Sequence, residues 1–446
     1  MPIPPVDKTS PEAVPLKRAI SRSMLLMLVV GDVLGAGIYA LVGQVAGKVG
    51  GAFWTAFLLA LVLAVFTAFG YAELVTKYPK AAGAAVYANR AWENPFLTFL
   101  VAFAVMSSGL TSAATLSRAF AAGYGPQALG LSHTILAIVF ICLLALVNYR
   151  GISESARLNV GLTTIELLGL VIVLIVGVVA IASGTGDVDP GRALRFTDSR
   201  SNLNAIVAGA GLAFFALIGF EDSVNMAEEV RDPARDYPRA LLGGLVVAGT
   251  LYVLVTVVAS MVVPADRLAA SPTPLLEVVQ AGPLKVPKAL FVAISMCALA
   301  NGALINMLMA SRIVYGMSRE RILPPTLGRV GRGRQTPLVA IFGTTVIAVL
   351  LTLTGDISDL AETTVLLLLM VFTGVNLAVL ALRRKPVASP HFRAPTVMPW
   401  LGAIVSVALM ATKSPMVFVR AGALLLLGVG LWAVNARLYR QPQGSA

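Results

Sequence analysis

Two long apolar segments of this chain are each interrupted near the middle by glycine and acidic residues. The first runs from Met24 to Ala46 and contains Gly35-Ala36-Gly37, with Asp32 just before it. The second runs from Leu203 to Met226 and contains Gly219-Phe220-Glu221-Asp222. Each segment is long enough to cross a bilayer, but glycine weakens a helix and a charge at membrane depth is costly. Since non-helical backbone persists at that depth only inside protein or beside a water-filled cavity, the pattern predicts two unwound helices around an internal site.

The composition supports a membrane location for the whole chain. Hydrophobic residues make up 57% of the 446 residues and charged residues 13%, whereas soluble domains carry roughly 25% charged residues. The first apolar run is too long for a signal-peptide core, so we expect it to be retained as a span. We predict an all-α polytopic membrane protein with twelve transmembrane helices. The predicted spans are 24–46, 52–76, 96–123, 132–149, 157–183, 203–229, 239–263, 287–317, 337–354, 359–382, 397–412 and 417–437.

The formal net charge of +12 is distributed as a topology signal. Basic residues gather in alternate short loops, and the loop after span eight is the richest of them, with five arginines between residues 319 and 334. Because lysine and arginine mark cytoplasmic loops, both termini are predicted to be cytoplasmic, in a multi-pass protein of the plasma (inner) membrane. Contact with lipid headgroups is a second use for these charges. This placement argues against nucleic acid as a partner.

The order of the spans suggests an internal repeat. Five spans in each half would leave the second half inverted relative to the first, with broken span one matching broken span six. The predicted divisions are an N-terminal tail (1–23), a first repeat (24–183), an outer loop (184–202), a second repeat (203–382), two further spans (383–437) and a C-terminal tail (438–446). Paired broken helices of this kind are typical of secondary transporters with a midplane binding site.

Each interruption is also compatible with a purely structural role. The backbone N–H groups of Gly35-Ala36-Gly37 suit a carboxylate at the start of a half-helix, but small residues also allow close helix packing in membranes. The carbonyls before Gly219 can accept from an ammonium group, and the Phe215 ring could cover a ligand or merely fill the core. Glu221 fits a structural role poorly, because an acid in mid-span needs a partner or a proton.

Four strings of residues together resemble the amino acid–polyamine–organocation transporters. They are Gly35-Ala36-Gly37-Ile38-Tyr39, Tyr71-Ala72-Glu73-Leu74, Gly219-Phe220-Glu221 with Glu228-Glu229-Val230-Arg231-Asp232-Pro233, and Ala310 to Arg319 followed by Leu323-Pro324. The similarity extends from about Leu16 to Arg440. It implies the LeuT-type fold and the uptake or exchange of amino acids.

The resemblance also implies a substrate site. Ala36, Gly37 and Ile38 would meet the substrate carboxylate, and the carbonyls of Phe215 and Ile218 would meet its amine. Gly35 and Gly219, which open the two breaks, complete the predicted binding set. Met106, Ser107 and Ser108 in span three and Asn301 in span eight are candidate pocket walls.

Three acids are candidates for coupling or gating. Many relatives that are proton-coupled or sodium-independent carry a lysine where Glu166 stands, so Glu166 could hold a proton, bind a cation or contact a basic substrate. Asp32 stands where the family usually has an uncharged residue, and it could pair with a cation or cap the inner half-helix. Glu221 could couple protonation to gating, because burial favours the neutral form of a carboxyl group.

The expected function is transport of amino acids by a secondary transporter that works by alternating access, and uniport, exchange and proton symport are all open. Span eight lacks the adjacent Ser/Thr pair of sodium-coupled relatives, which disfavours sodium. Transport of polyamines or other organic amines is the main alternative, and a channel or a non-transporting sensor ranks lower. No catalytic or metal-ligand constellation is evident, so we expect no enzyme activity, metal or cofactor. The expected partners are an amino acid or amine, protons and lipids, and no obligate protein partner is evident.

Overall fold

A computed structural model describes most of the chain. It covers residues 20–34, 36–80, 83–124, 130–150, 152–197, 202–319, 323–330 and 336–438. Apart from one isolated bridge between Ile20 and Val230, the residues in these ranges form no β-structure. The α-helices are α1 Arg22–Val33, α2 Gly37–Val49, α3 Trp54–Lys77, α4 Gly83–Trp92, α5 Pro95–Ala119, α6 His133–Arg150, α7 Ile152–Ser183, α8 Asn202–Ala213, α9 Pro233–Val262, α10 Ala265–Ala270, α11 Pro274–Ala281, α12 Lys288–Arg319, α13 Leu338–Leu351, α14 Ile357–Leu382, α15 Val397–Ala411 and α16 Pro415–Leu438.

The all-α polytopic prediction is confirmed. Within the described ranges, nine helical segments are long and apolar enough to cross a membrane, and a tenth follows if α1 and α2 count as one bent span. The short apolar helices α13 and α15, of 14 and 15 residues, coincide with predicted spans nine and eleven. The count of twelve therefore stays a prediction.

Side-chain caps fix where several of these helices begin. The Asn94 side chain accepts hydrogen bonds from the N–H groups of Phe96 and Leu97, directly before Pro95 in the first turn of α5. Asp232 caps α9 in the same way. Proline suits the first helical turn because its missing N–H would be unpaired there anyway.

Both predicted interruptions are present. The first separates α1 from α2, which differ in direction by 42°. In the second, the α-helix ends at Ala213 and the chain continues as 3-10 turns over Phe214–Leu217 and Asp222–Glu229. Gly219 lies between these turns with φ +121°, a conformation that strongly favours glycine. The unwound part of span six is therefore longer than the four residues noted in the sequence.

Side chains pair with backbone groups that the breaks leave exposed. The Tyr252 hydroxyl donates to the Val33 carbonyl at the end of α1, at 2.8 Å. The Glu221 carboxylate accepts from the Gly219 N–H at 2.8 Å. The Lys413 ammonium donates to the Gly211 carbonyl near the end of α8, also at 2.8 Å. A buried peptide group without a hydrogen bond costs several kcal/mol, so these contacts stabilise the ends of the broken helices.

A buried ion pair links α3 to the segment just beyond α14. The buried Glu73 of α3 accepts two hydrogen bonds from Arg383, at 2.8 and 2.6 Å, just beyond α14. Glu73 also accepts from the Ala394 N–H at 2.9 Å. A bidentate arginine pair of this kind fixes orientation as well as distance. These contacts give Glu73 a structural role.

Candidate functional site

An internal cavity of about 60 Å³ lies where the two breaks meet. Its described lining comes from α1, α2, α5, α12, α14 and the unwound part of span six. A single water needs roughly 10–15 Å³ of such space, so the cavity has room for several waters or for a small polar ligand. The fold thus places one polar chamber at the centre of the bundle.

Glycines allow the two breaks to touch. A Cβ atom on Gly37 would stand 2.6 Å from the Cα of Ala216, and one on Gly219 would stand 2.7 Å from the Asp32 carbonyl oxygen. A Cβ on Gly302 of α12 would lie 3.3 Å from the Cβ of Ala36. Two of these distances are shorter than any ordinary carbon contact, so a larger residue would push the two unwound segments apart.

The charged residues in the described lining of the cavity are all acidic. Asp32, Glu221 and Asp222 all line it, and none of the described lining residues is Lys, Arg or His. The Glu221 carboxylate has the Gly219 N–H as a partner. The carboxylates of Asp32 and Asp222 make no hydrogen bond to any residue of the described ranges. The wall is thus rich in acceptors and poor in positive charge.

Glu166 lies behind the cavity rather than in its wall. It is fully buried on α7, and its backbone carbonyl accepts from the Tyr39 hydroxyl at 2.8 Å. Its carboxylate is near Asn301 and Asp32, yet neither oxygen has a well-formed hydrogen bond to a described residue. A buried carboxylate without a cation or donor is expensive if ionised, so a proton or cation is the expected occupant.

The structure brings most of the predicted site residues together. Those lining the cavity are Asp32, Ala36, Gly37, Ser108, Phe215, Ile218, Gly219, Glu221 and Asn301. Gly35 lies outside the described residues. Ile38, Met106 and Ser107 are buried but are not among the described lining residues.

The helical periodicity of α5 explains why Met106 and Ser107 are not among the lining residues of the cavity. The lining positions of this helix are 105, 108, 109, 112 and 116, which recur every three or four residues along one face. Met106 and Ser107 fall between these positions and so lie on other faces. Serine and threonine occur on more than one face of span three, which is why sequence reasoning grouped Met106, Ser107 and Ser108 as candidate walls.

Sequence reasoning gave no binding role to four polar residues of the wall: Ser112, Asp222, Asn306 and Thr364. Asp222 was visible as a mid-span acid beside Glu221. The Thr364 hydroxyl of α14 donates to that of Thr111 on α5, at 2.8 Å, a contact between segments 253 residues apart. Such a long-range pair leaves no local signal in the sequence.

A second cavity, of about 510 Å³, lies near the end of α2, the start of α14 and the turn between α15 and α16. Lys48 at its edge forms an ion pair with Glu362. Lys413 also lines it and is 8% exposed. Burial lowers the pKa of Lys413 from its ordinary 10.5 to about 8, although the nearby Glu362 acts in the opposite direction.

A bundle of membrane-length helices, with two broken spans around a central polar cavity, defines a multi-pass membrane protein of the transporter class. The chain belongs to the amino acid permease family, whose family model matches residues 20–424. This match confirms the resemblance described from the motifs.

The chain is also similar to individual transporters from bacteria and a plant. The chain is 25% identical to the branched-chain amino acid permease BcaP of Bacillus subtilis, over 95% of this chain and 94% of the relative. It is 29% identical to an uncharacterized transporter of Mycobacterium tuberculosis, over 95% and 92% of the two chains. It is 28% identical to the chloroplastic cationic amino acid transporter 9 of Arabidopsis thaliana, over 71% of this chain but only 58% of the plant protein.

Proposed function

We propose that this protein is a secondary active permease for amino acids that works by alternating access across the plasma membrane. The observation that carries the proposal is the polar cavity at the contact between two broken spans, in a chain of the amino acid permease family. Family membership and this geometry support transport over catalysis. The divisions at 24–183 and 203–382, and the cytoplasmic placement of both termini, belong to the same proposal.

In this proposal the substrate lies between the two breaks. Its carboxylate faces the N–H groups of Ala36, Gly37 and Ile38 at the start of α2, where the helix dipole favours an anion. Its amine faces the carbonyls of Phe215 and Ile218. Because both contacts use unwound backbone, small movements of α1 and of the 3-10 turns would alter both ends of the site together.

The coupling ion of this proposal is a proton held by Glu166. The acid is buried beside α1, and a proton satisfies it without a dedicated shell of ligands. Exchange without a net proton movement is the alternative mode. The names of the relatives divide between cationic and branched-chain amino acids, so family membership by itself leaves the substrate class open.

Counterflow in proteoliposomes tests the proposal. Purified protein is reconstituted with an unlabelled amino acid inside, and entry of the labelled amino acid is followed from outside. A permease gives saturable uptake that an internal pool of the same compound stimulates. A channel gives uptake without that stimulation, and a sensor or an enzyme gives none, so either result contradicts the proposal.

A further inference from the structure

The charge balance of the central cavity is unusual for a neutral ligand. An amino acid with an uncharged side chain brings one positive and one negative group, and these can be matched by the unwound backbone of the two breaks. The cavity adds three carboxylates, from Asp32, Glu221 and Asp222, with no basic residue in its described lining. Ionised carboxylates enclosed without cations are costly, so the wall is best matched by a ligand with excess positive charge.

A second polar group points to the same kind of ligand. Asn301 lines the cavity and is 1% exposed, and its Oδ1 atom has no hydrogen-bond partner in the described part of the chain. Its amide nitrogen is already used, since it donates to the Thr163 hydroxyl at 3.3 Å. A buried acceptor left without a donor costs about 1–3 kcal/mol, and either a proton on the neighbouring Glu166 or a donor-rich ligand in the cavity would relieve it.

Asp32 and Asp222, whose carboxylates make no hydrogen bond to a described residue, lie on either side of the contact between the two breaks. Asp32 precedes the first break and Asp222 follows Gly219 of the second, and the Asp32 carbonyl packs against Gly219. The Asp32 carboxyl carbon lies 3.4 Å from where a Cβ on Gly219 would stand, and the Asp222 N–H donates to the Gly219 carbonyl at 2.9 Å. The start of α2, which suits a ligand carboxylate, is on the other side of the first break. A ligand lying across the break would therefore have its carboxylate at α2 and a second cation at these two acids.

We propose that the permease selects amino acids that carry a second cationic group, of the lysine, ornithine and arginine type, with Asp32 and Asp222 as the receptors for that group. This inference rests on the proposed function and specifies its substrate class. An ammonium or guanidinium has three to five donors, enough for both carboxylates and Asn301. Branched-chain side chains have none, and would leave all three groups unpaired.

The test compares lysine with two analogues that each lack one charged end. Norleucine keeps the amino acid head but has no side-chain ammonium, and cadaverine keeps both amines but has no carboxylate. Lysine counterflow is measured in proteoliposomes in the presence of one competitor at a time. The competitors are norleucine, cadaverine, leucine and arginine. We expect norleucine and leucine to compete at least tenfold more weakly than arginine, and cadaverine to be similarly weak. Binding measured by thermal shift on the purified protein should follow the same order.

Variants that remove one negative charge test which residues recognise the side-chain cation of the substrate. Asp32→Asn and Asp222→Asn should each reduce lysine affinity at least tenfold and narrow the difference between lysine and norleucine. Asp266→Asn removes the same charge at an exposed position of α10 and should leave both unchanged. Because the wild-type analogue series needs no variant, poor folding of one variant leaves the proposal testable.

The outcomes separate this inference from the function on which it rests. Counterflow of leucine as good as that of lysine would overturn the inference and leave the permease intact. Cadaverine accepted as well as lysine would overturn both, in favour of an amine transporter. Lysine selectivity that survives both Asp→Asn variants would overturn the assignment of Asp32 and Asp222. Absence of counterflow with every amino acid would overturn the proposed function itself.

Discussion

Glu166 stands where the motif resemblance implies a lysine in many relatives. A lysine there would put a permanent cation beside α1, whereas this chain buries a carboxylate with no well-formed hydrogen bond in the described ranges. The identity of the residue was readable from the sequence. Its closeness to Asn301 and Asp32 was not, because these three residues come from three different helices.

Glu166→Gln is expected to separate coupling from binding. Glutamine mimics the protonated acid, so substrate counterflow should persist while accumulation driven by a pH gradient is lost. Both are measured in proteoliposomes, with an imposed gradient for the second. Glu93→Gln is the control, since its side chain is 76% exposed and is not among the described lining residues of the cavity. Gradient-driven accumulation equal to wild type would reduce Glu166 to a structural residue.

Lys413 lies in the turn between α15 and α16, and it gives a prediction about how stability depends on pH. Its pKa is about 8 in the folded protein because of burial, and 10.5 is its ordinary value. Between these values the unfolded chain binds more protons than the folded one, so the stability contributed by Lys413 rises with pH from about 8 to about 10.5 and is lost as pH falls through 8. The full difference is on the order of 3 kcal/mol.

Thermal denaturation of Lys413→Met across pH 7–10 measures this effect. The wild type should gain stability over the variant as the pH rises, since methionine cannot release a proton. The variant also loses the hydrogen bond to the Gly211 carbonyl, which lowers stability at every pH and does not alter the slope. Lys285→Met, at an exposed position, should parallel the wild type. A constant difference between wild type and Lys413→Met would contradict the shifted pKa.

The two broken spans are the elements that sequence reasoning located best. Gly35-Ala36-Gly37 and Gly219-Phe220-Glu221 indicated both positions, because glycine and a carboxylate each disfavour a regular helix at membrane depth. The extent of the second break was underestimated, since 3-10 turns continue as far as Glu229. Hydropathy does not distinguish α from 3-10 backbone, so the sequence alone gave no sign of that length.

The structure also adds a packing role to Gly37, which sequence reasoning treated as an alternative to binding. Gly37→Ala would place a methyl group 2.6 Å from the Ala216 Cα, and both backbones would have to shift. We expect a loss of stability of about 1–3 kcal/mol, typical of overpacking, together with weaker counterflow. Melting temperature in detergent and counterflow rate are the two measurements.

A matched glycine provides the control for this substitution. A Cβ on Gly343 of α13 meets nothing within 4 Å. Alanine there should be neutral or stabilising by up to about 1 kcal/mol, because it favours the helix over the unfolded chain. Equal losses of stability in Gly37→Ala and Gly343→Ala would show that Gly37 is not needed for the contact between the two breaks.

At the scale of the whole molecule, composition and loop charge predicted the class, the helical fold and most span positions. They could not predict which polar residues share the cavity. Asp32, Ser108, Asp222 and Asn301 come from four segments, and only the tertiary packing of those segments brings them to one wall. The twelve-span count is the global prediction that most needs an experiment, because α13 and α15 are short.

Reporter fusions can decide the topology in two steps. Five membrane-length segments lie between Leu129 and Arg332, namely His133–Arg150, Gly161–Ser183, Asn202–Ala227, Pro233–Val262 and Lys288–Arg319. An odd number places the two fusion points on opposite sides, with Leu129 outside and Arg332 in the cytoplasm if basic loops are cytoplasmic. Reporters on the same side would remove a span from this set and break the inverted-repeat proposal.

A third fusion, after Arg384, tests the short helix α13. Only α13 and α14 lie between Arg332 and Arg384 in the described chain. A 14-residue helix is about 21 Å long, less than the roughly 30 Å hydrocarbon core. Arginines on both flanks nevertheless predict one cytoplasmic side for both fusions, which requires α13 to cross, with the bilayer thinning or the flanking chain completing the distance. Reporters on opposite sides would mean that α13 does not cross, and the chain would then have fewer than twelve spans.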